Sequence, residues 1–223
     1  MSIMPSSSLK ILLLIALVLL ASSLNAQHII FEEDFDDGVA DGFYPDSDLW
    51  VVNSAGQYEI ENWGFEVLST SYFGEFYWVD FHLTLDMITQ DSVHNSVGFR
   101  IQENGDMYVA TLRGEPYKDV YLFKMVNGIQ NLLFTSEFSN SLADWHHLEI
   151  IANYNDLAFV VNDELALQYS DENAPFLTGR QALISYTGGV EQHQVLQVDN
   201  VRVINTAVAT DAIFLDQIKA LYR

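Results

Sequence analysis

Clustered carboxylates are the first feature of this sequence that could support chemistry. Five acidic residues lie within six positions: Glu32, Glu33, Asp34, Asp36 and Asp37. Such a cluster repels itself unless solvent or a cation neutralises it. Calcium takes about six to eight oxygen ligands, many of them carboxylates and carbonyls. We therefore predict that Asp34, Asp36 and Asp37 contribute to a structural Ca²⁺ site; a solvated acidic loop is the alternative.

A second group of residues has the chemistry of a saccharide site, which combines aromatic rings with a few placed hydrogen-bonding groups. Arg100 and Gln102 alternate with apolar neighbours, so both are expected to point away from the core. Tyr108 and Arg113 follow on the next strand. We predict that these four residues contact the ligand. The alternative is that the arginines pair with nearby acids. The tryptophans of the aromatic-rich stretch 63–78 are expected in the core.

Strands must position these groups. Apolar residues alternate with polar ones in residues 81–87 and again in 146–154, as in strands with one buried face. Asn104-Gly105, Asn127-Gly128 and Asn162-Asp163 separate such strands and are typical of tight hairpin turns. Many short strands joined by turns indicate an all-β, two-sheet antiparallel sandwich, for which a jelly roll is one topology.

Several short motifs carry a family resemblance. FEEDFDDGVADG (31–42), VGFRIQ (97–102), NGDMYVATLR (104–113) and VDNVRV (198–203) resemble segments of concanavalin A-like, LamG-like jelly rolls, including the 3-keto-disaccharide hydrolase family. The resemblance implies a curved sandwich with a carbohydrate on the concave sheet or loop rim and, frequently, a structural calcium. Its first and last strands lie side by side, so Asp199 is expected to join the acidic cluster.

The resemblance does not extend to the catalytic motif of the jelly-roll glucanases. Those enzymes carry E-x-D-x-E or E-x-D-x-x-E on one strand, and this chain has neither pattern. Glycosidases of the ordinary type need two flanking carboxylates. Glu59 and Glu61 share a strand face, but Trp63 occupies the next position on it. A non-catalytic module is therefore the preferred interpretation.

Composition and the termini complete the prediction. The apolar run 11–21 and the small residues before position 27 indicate a signal peptide over residues 1–26, followed by a jelly-roll domain over 27–205. A change to helical spacing predicts a short C-terminal helix within 206–223. The formal net charge of −22 argues against nucleic acid or anionic membranes as partners.

The predicted function is carbohydrate binding by a secreted or periplasmic module. Two alternatives stay open. One is a glycoside hydrolase acting on di- or oligosaccharides. The other is an adhesive or structural module that binds proteins through the C-terminal helix or a sandwich edge.

Overall fold

The computed structural model describes residues 28–90, 94–114, 116–139, 144–187 and 192–206. The predicted signal peptide and the predicted C-terminal helix after Thr206 lie outside these ranges. The described residues form only strands, turns and irregular segments. None of the described ranges contains a helix long and apolar enough to cross a membrane.

Two antiparallel sheets stack face to face. The back sheet has eight strands, which in spatial order are β13 (Glu164–Ser170), β12 (Asp156–Val161), β11 (His146–Asn153), β6 (Phe81–Gln90), β15 (Gln192–Asn205), β4 (Tyr58–Gly64) and β3 (Trp50–Val52), with β1 (His28–Glu33) paired to β15. The front sheet has seven strands, in the order β10 (Ile129–Glu137), β9 (Asp119–Val126), β8 (Met107–Arg113), β7 (His94–Ile101), β14 (Arg180–Tyr186), β5 (Leu68–Phe73) and β2 (Phe43–Pro45). The predicted all-β, two-sheet antiparallel sandwich is confirmed.

The hairpin predictions rest on turn residues that tolerate positive φ. Asn127 and Gly128 have φ of 52° and 76°, and Asn162 and Asp163 have φ of 50° and 64°. Positive φ at both central positions is the type I′ pattern, whose twist suits a two-residue hairpin. The Asn104-Gly105 turn differs, because only Gly105 has positive φ there. It forms a wider loop, closed by the Gln102 amide bonding to the Asp106 carbonyl at 2.8 Å.

One main core fills the space between the sheets, and a smaller apolar cluster lies on the outer face of the front sheet. Alternation places successive side chains of a strand on opposite faces. Leu183 of β14 therefore lies in the main core, whereas its neighbours Ala182 and Ile184 belong to the outer cluster with Ile101 and Val109. The candidate site lies next to this apolar patch on the outer face of the front sheet.

Candidate functional site

Arg100 occupies a bulge in β7. Gly98 pairs with Ala182 and Ile101 with Arg180, so two residues of β7 stand opposite Gln181 alone. Arg100 has φ of 50° and its side chain has 0% exposure. The prediction that Arg100 points to solvent is wrong, because the extra residue of a bulge breaks the strand alternation on which it relied.

The buried guanidinium of Arg100 connects three loops. Its Nη2 lies 3.1 Å from Asp80 Oδ1, and its Nη1 donates to the carbonyls of Tyr154 and Phe176. Asp80 precedes β6, Tyr154 follows β11, and Phe176 lies between β13 and β14. Burial lowers the pKa of Arg100, and the charge of Asp80 opposes this shift. Arg100 therefore holds one end of the sandwich together and has no surface to offer a ligand.

Tyr108 is also buried and already bonded. Its side chain is 0% exposed, and its hydroxyl donates to Asp171 Oδ2 at 2.6 Å. The same carboxylate oxygen lies 2.6 Å from Lys124 Nζ. Burial, followed by the hydrogen bond to Asp171, raises the pKa of Tyr108. The predicted direct contact between Tyr108 and a ligand does not fit this position; the residue instead anchors the segment after β13.

Gln102 borders a cleft beside this anchored segment. The cleft has a volume of about 510 Å³ and is lined by residues of three loops and by the last residue of β7: Phe76, Ile101, Gln102, Glu103, Asn104, Asp106, Phe176 and Thr178. Gln102 Nε2 donates to the carbonyls of Arg100 and Thr178, at 2.8 and 2.6 Å. Its amide oxygen bonds to none of the described residues. Ile101 belongs both to the cleft and to the outer apolar cluster, so the two surfaces are continuous.

Arg180 adds a cation to this surface, and sequence reasoning missed it. Its guanidinium carbon lies 4.2 Å from the centroid of the Tyr72 ring and 4.8 Å from that of Phe76, a cleft residue. Within the described ranges no carboxylate lies within 4.0 Å of Arg180, and its buried Nε has no hydrogen-bond partner. The sequence did contain a signal for its orientation: Arg180 and Leu183 are three positions apart in β14, so their side chains lie on opposite faces of the sheet. That signal was weak, because this strand is apolar on both faces.

Arg113 lies at the far end of β8 from this cleft. Its Nε and Nη2 donate to the two oxygens of Asp119 at 2.7 and 2.6 Å, and the guanidinium stacks on Tyr117 and Tyr121 at 3.9 and 4.0 Å. His94 pairs with Arg113 across the sheet, and burial, assisted by the charge of Arg113, lowers its pKa to about 4. The structure thus does not bring the four predicted ligand-binding residues together at one site.

The acidic cluster lies on the other sheet. The predicted pairing of the first and last strands is confirmed, since β1 runs antiparallel to β15. The register of β15 against β6 shifts between Asp199 and Arg202. Burial raises the pKa of Asp199; the Asn200 amide opposes this, and the charges of Asp86, Asp36 and Asp34 raise the pKa further.

The carboxylates of this cluster do not form a ready-made metal site. Glu33 accepts the amides of Phe35 and Asp41, each at 2.8 Å, and Asp37 accepts the amide of Val39 at 2.9 Å. Among the residues described, no three His, Cys, Asp or Glu side chains are arranged to hold a metal ion. Asp34, Asp36 and Asp199 nevertheless lie close enough for their negative charges to repel one another. A bound cation would reduce this repulsion.

Comparisons with known proteins are informative at the level of structure. No family model and no curated protein matches the sequence. The fold is similar to that of carbohydrate-binding module CBM66 from Bacillus subtilis, with a TM-score of 0.60 and 17% identity over 73% of this chain and 95% of that one.

Two enzyme structures are about as similar. A β-glucanase of Bacillus licheniformis matches with a TM-score of 0.59 and 13% identity, over 80% of this chain and 99% of that one. The catalytic domain of a laminarinase from Thermotoga maritima matches with a TM-score of 0.60 and 12% identity, over 80% and 98%. At these identities the comparisons establish the fold alone.

Proposed function

We propose that this chain, which has the concanavalin A-like jelly-roll fold of its structural neighbours, is a saccharide-binding module. Its ligand lies in the cleft beside Arg180. The observation that carries the proposal is the Arg180 guanidinium, stacked on two aromatic rings and without a carboxylate partner among the described residues. In so acidic a chain, a cation left unpaired on an apolar surface is available to a ligand.

The groups around the cleft complement a polyhydroxylated ring. A guanidinium presents several N–H donors in a fixed plane, and the half-exposed ring of Phe76 offers an apolar surface to the C–H face of a sugar. The free amide oxygen of Gln102 and the carboxylate of Glu103 accept hydrogen bonds from hydroxyl groups. Arg100 and Tyr108 support the site from below by fixing the segment that carries Phe176 and Thr178.

The distribution of carboxylates favours binding over hydrolysis. The five central strands of the front sheet, β5, β14, β7, β8 and β9, contain one acidic residue, Asp119. Both oxygens of Asp119 accept hydrogen bonds from Arg113. A glycosidase of the ordinary kind needs two carboxyl groups on either side of the scissile bond, and these strands do not supply them. Two carboxylates, Glu103 and Asp106, line the cleft, but Asp106 is buried and its oxygens accept hydrogen bonds from Asn104 and from the Asn127 amide. Glycoside hydrolysis therefore remains the second candidate.

Arg180→Met is expected to weaken saccharide binding roughly tenfold to a hundredfold, since charged hydrogen bonds contribute about 1.5–3 kcal/mol. A glycan array with the wild-type protein identifies the ligand, and calorimetric titration measures the loss. Arg202→Met is the matched control, because Arg202 lies on the back sheet with its side chain 41% exposed. The control should bind as the wild type does.

Other outcomes separate the alternatives. Equal affinity of the Arg180→Met and wild-type proteins would move the ligand away from this cleft. An array without any bound glycan would contradict saccharide binding itself. Product release from a panel of di- and oligosaccharides would replace the binding proposal with the hydrolase.

We also propose a structural calcium at Asp34, Asp36, Asp37 and Asp199. Calcium binding to the folded state alone raises the melting temperature, so we expect a higher value in calcium than in chelator. The Asp199→Asn protein should lose this difference, whereas Asp48→Asn, an equal charge change at an exposed position, should keep it. Identical melting curves with calcium and chelator would eliminate the site.

The proposed setting is outside the cytoplasm, as the predicted signal peptide implies. There the net charge of −22 repels nucleic acids and anionic lipids, whereas it does not repel an uncharged sugar. Detection of the mature chain beginning near Gln27 in the extracellular or periplasmic fraction would test this.

A further inference from the structure

The space between the two sheets becomes polar at one end of the sandwich. Strand alternation turns six polar side chains inward there, in line with core residues such as Ile60 and Val97. These six form the polar layer, and each is at most 5% exposed: Asn62, Thr89 and Gln194 on the back sheet, and Ser69, Asn95 and Ser185 on the front sheet. Asn95 lies at the start of β7 and Ile101 at its end, so the polar layer is far from the cleft.

The polar layer satisfies only part of its hydrogen-bonding capacity. Asn62 Nδ2 donates to Ser185 Oγ at 2.9 Å, and Thr89 Oγ1 donates to Asn95 Oδ1. Four other atoms of the layer have no hydrogen-bond partner among the described residues: Asn62 Oδ1, Asn95 Nδ2, and the amide oxygen and nitrogen of Gln194. A buried polar atom without a partner destabilises the folded state, because it has lost its hydrogen bonds to water. Contact with water would remove this destabilisation.

Residues 61–67, the strap, carry Asn62 over the polar layer and connect β4 to β5. Within the described ranges β3 pairs with β4 at residues 58–60 alone, so the strap extends past the edge strand. Of the seven described residues of the strap, only Asn62 is buried, and Trp63 and Phe65 are 67% and 60% exposed. The strap therefore buries little apolar surface, and segments with few buried apolar contacts open most easily.

We propose that the strap opens away from the polar layer while both sheets stay folded. Opening breaks the hydrogen bond between Asn62 and Ser185. The other end of the strap stays anchored, because the Val67 amide donates to Thr187 Oγ1 at 2.8 Å and the Thr187 amide donates to the Val67 carbonyl at 3.0 Å. In exchange, water reaches the unpaired atoms of the polar layer and bonds to them.

Residues 192–194 of β15 move with the strap. They pair with residues 62–64 in an antiparallel ladder, and among the described residues β15 pairs with β6 from Val195 onwards. The rings of Trp63 and His193 stack across this ladder with centroids 4.0 Å apart. The Trp63 and His193 ring nitrogens lie 3.0 and 2.9 Å from the same oxygen of Glu61. The opening unit is therefore a pair of strands held together by these contacts.

Hydrogen exchange of the folded protein, followed by NMR, tests the opening. Amides that bond between residues 62–64 and 193–194 should exchange at least about a hundredfold faster than those of residues 83–85 and 148–150, in the middle of the back sheet. They should share one opening constant, which low concentrations of urea leave unchanged because the opening exposes little surface. Amides of residues 183–185, in the facing front strand, should stay slow.

A substitution in the polar layer tests the cause of the opening. Gln194→Met removes two unpaired amide atoms and keeps a side chain of similar length, so it favours the closed form. Exchange of the strap amides should slow about tenfold. Gln181→Met is the matched control, because Gln181 is also 0% exposed but lies near the start of β14, where its Nε2 donates to the Gly179 carbonyl. The control should leave the exchange of the strap amides unchanged.

Three results would overturn the proposal: strap amides as slow as those of residues 83–85, exchange that accelerates with urea as steeply as global unfolding does, or a Gln194→Met protein whose strap exchanges as fast as the wild type or faster. A separate opening constant for each amide of residues 62–64 would indicate fraying of single residues and also count against the strap. The wild-type measurement requires no variant to fold. None of these readouts depends on saccharide binding, so the inference stands or fails separately from the proposed function.

Discussion

Gly179→Ala is expected to lower the free energy of unfolding by about 3 kcal/mol or more. Gly179 has φ of 146°, and a Cβ there would lie 2.3 Å from the carbonyl carbon of Arg100 and 2.5 Å from the amide nitrogen of Ile101. Both atoms are backbone, so no side chain can rotate away to make room. Either the β7 bulge or the segment before β14 has to move.

Denaturation with urea, followed by tryptophan fluorescence, measures the effect. Gly105→Ala is the matched control, because Gly105 also has positive φ, 85°, but a Cβ there meets no atom within 4 Å. Only the left-handed backbone conformation should then cost energy, about 1 kcal/mol. The Gly179 variant should also lose saccharide affinity, since Thr178 and Arg180 flank the substitution. Equal destabilisation by the two substitutions would show that contact with the bulge does not matter.

The strands and their turns were predictable because their signals are local. In β6, Phe81, Leu83 and Leu85 alternate with polar residues, and all three are buried in the core. The Asn127-Gly128 turn needs only its own two residues to take positive φ. Strand order in each sheet is a long-range property, and the resemblance to known jelly rolls suggested it better than periodicity did.

The candidate site was less predictable, because its geometry depends on pairing between distant strands. Arg100 turns inward since β7 carries one residue more than the facing part of β14, which no neighbour of Arg100 in the sequence reveals. Arg113, in contrast, follows the alternative that the sequence left open, and pairs with an acid six residues away. The apolar residues on both faces of β14 concealed the orientation of Arg180.

The burial of the tryptophans was also predicted only in part. Trp50 and Trp78 are 5% and 8% exposed, but Trp63 is 67% exposed, so its predicted place in the core is wrong. Trp63 shares the outer face of β4 with Glu61, and strand alternation alone would have placed it there. Its indole stacks on His193 with centroids 4.0 Å apart. Position in the strand was a better guide here than the average burial of tryptophan.

The buried pair of Lys124 and Asp171 is the second place where one substitution should have a large effect. Asp171→Ala is expected to lower the free energy of unfolding by about 3–5 kcal/mol, because the Lys124 ammonium stays buried without its counter-charge. Asp171 is 2% exposed and Lys124 is 9% exposed. The ammonium would keep its hydrogen bonds to the carbonyls of Asn173 and Ala174, at 3.0 and 2.8 Å, and its contacts with the Tyr108 and Phe176 rings, but none of these carries a full negative charge.

Two further variants separate the charge from the lost contacts. The double variant Lys124→Met with Asp171→Ala should be more stable than Asp171→Ala alone, because it removes the uncompensated charge. Asp48→Ala, at an exposed position, should change stability by less than about 0.5 kcal/mol. A double variant less stable than the single one would mean that the Lys124 charge is not the source of the loss.

The pH dependence of the same variants provides an independent test. Burial alone would raise the pKa of Asp171, but hydrogen bonds from Lys124, Tyr108 and the Asn173 amide outweigh it and hold the pKa below its usual value. A depressed carboxyl pKa stabilises the folded state fully above the unfolded pKa of about 3.9, and this contribution is lost as the pH falls towards the folded pKa. The difference in unfolding free energy between wild type and Asp171→Ala should therefore be constant near neutral pH and shrink below about pH 4. A difference that stays constant in strong acid would show that the ionised carboxylate does not stabilise this end of the sandwich.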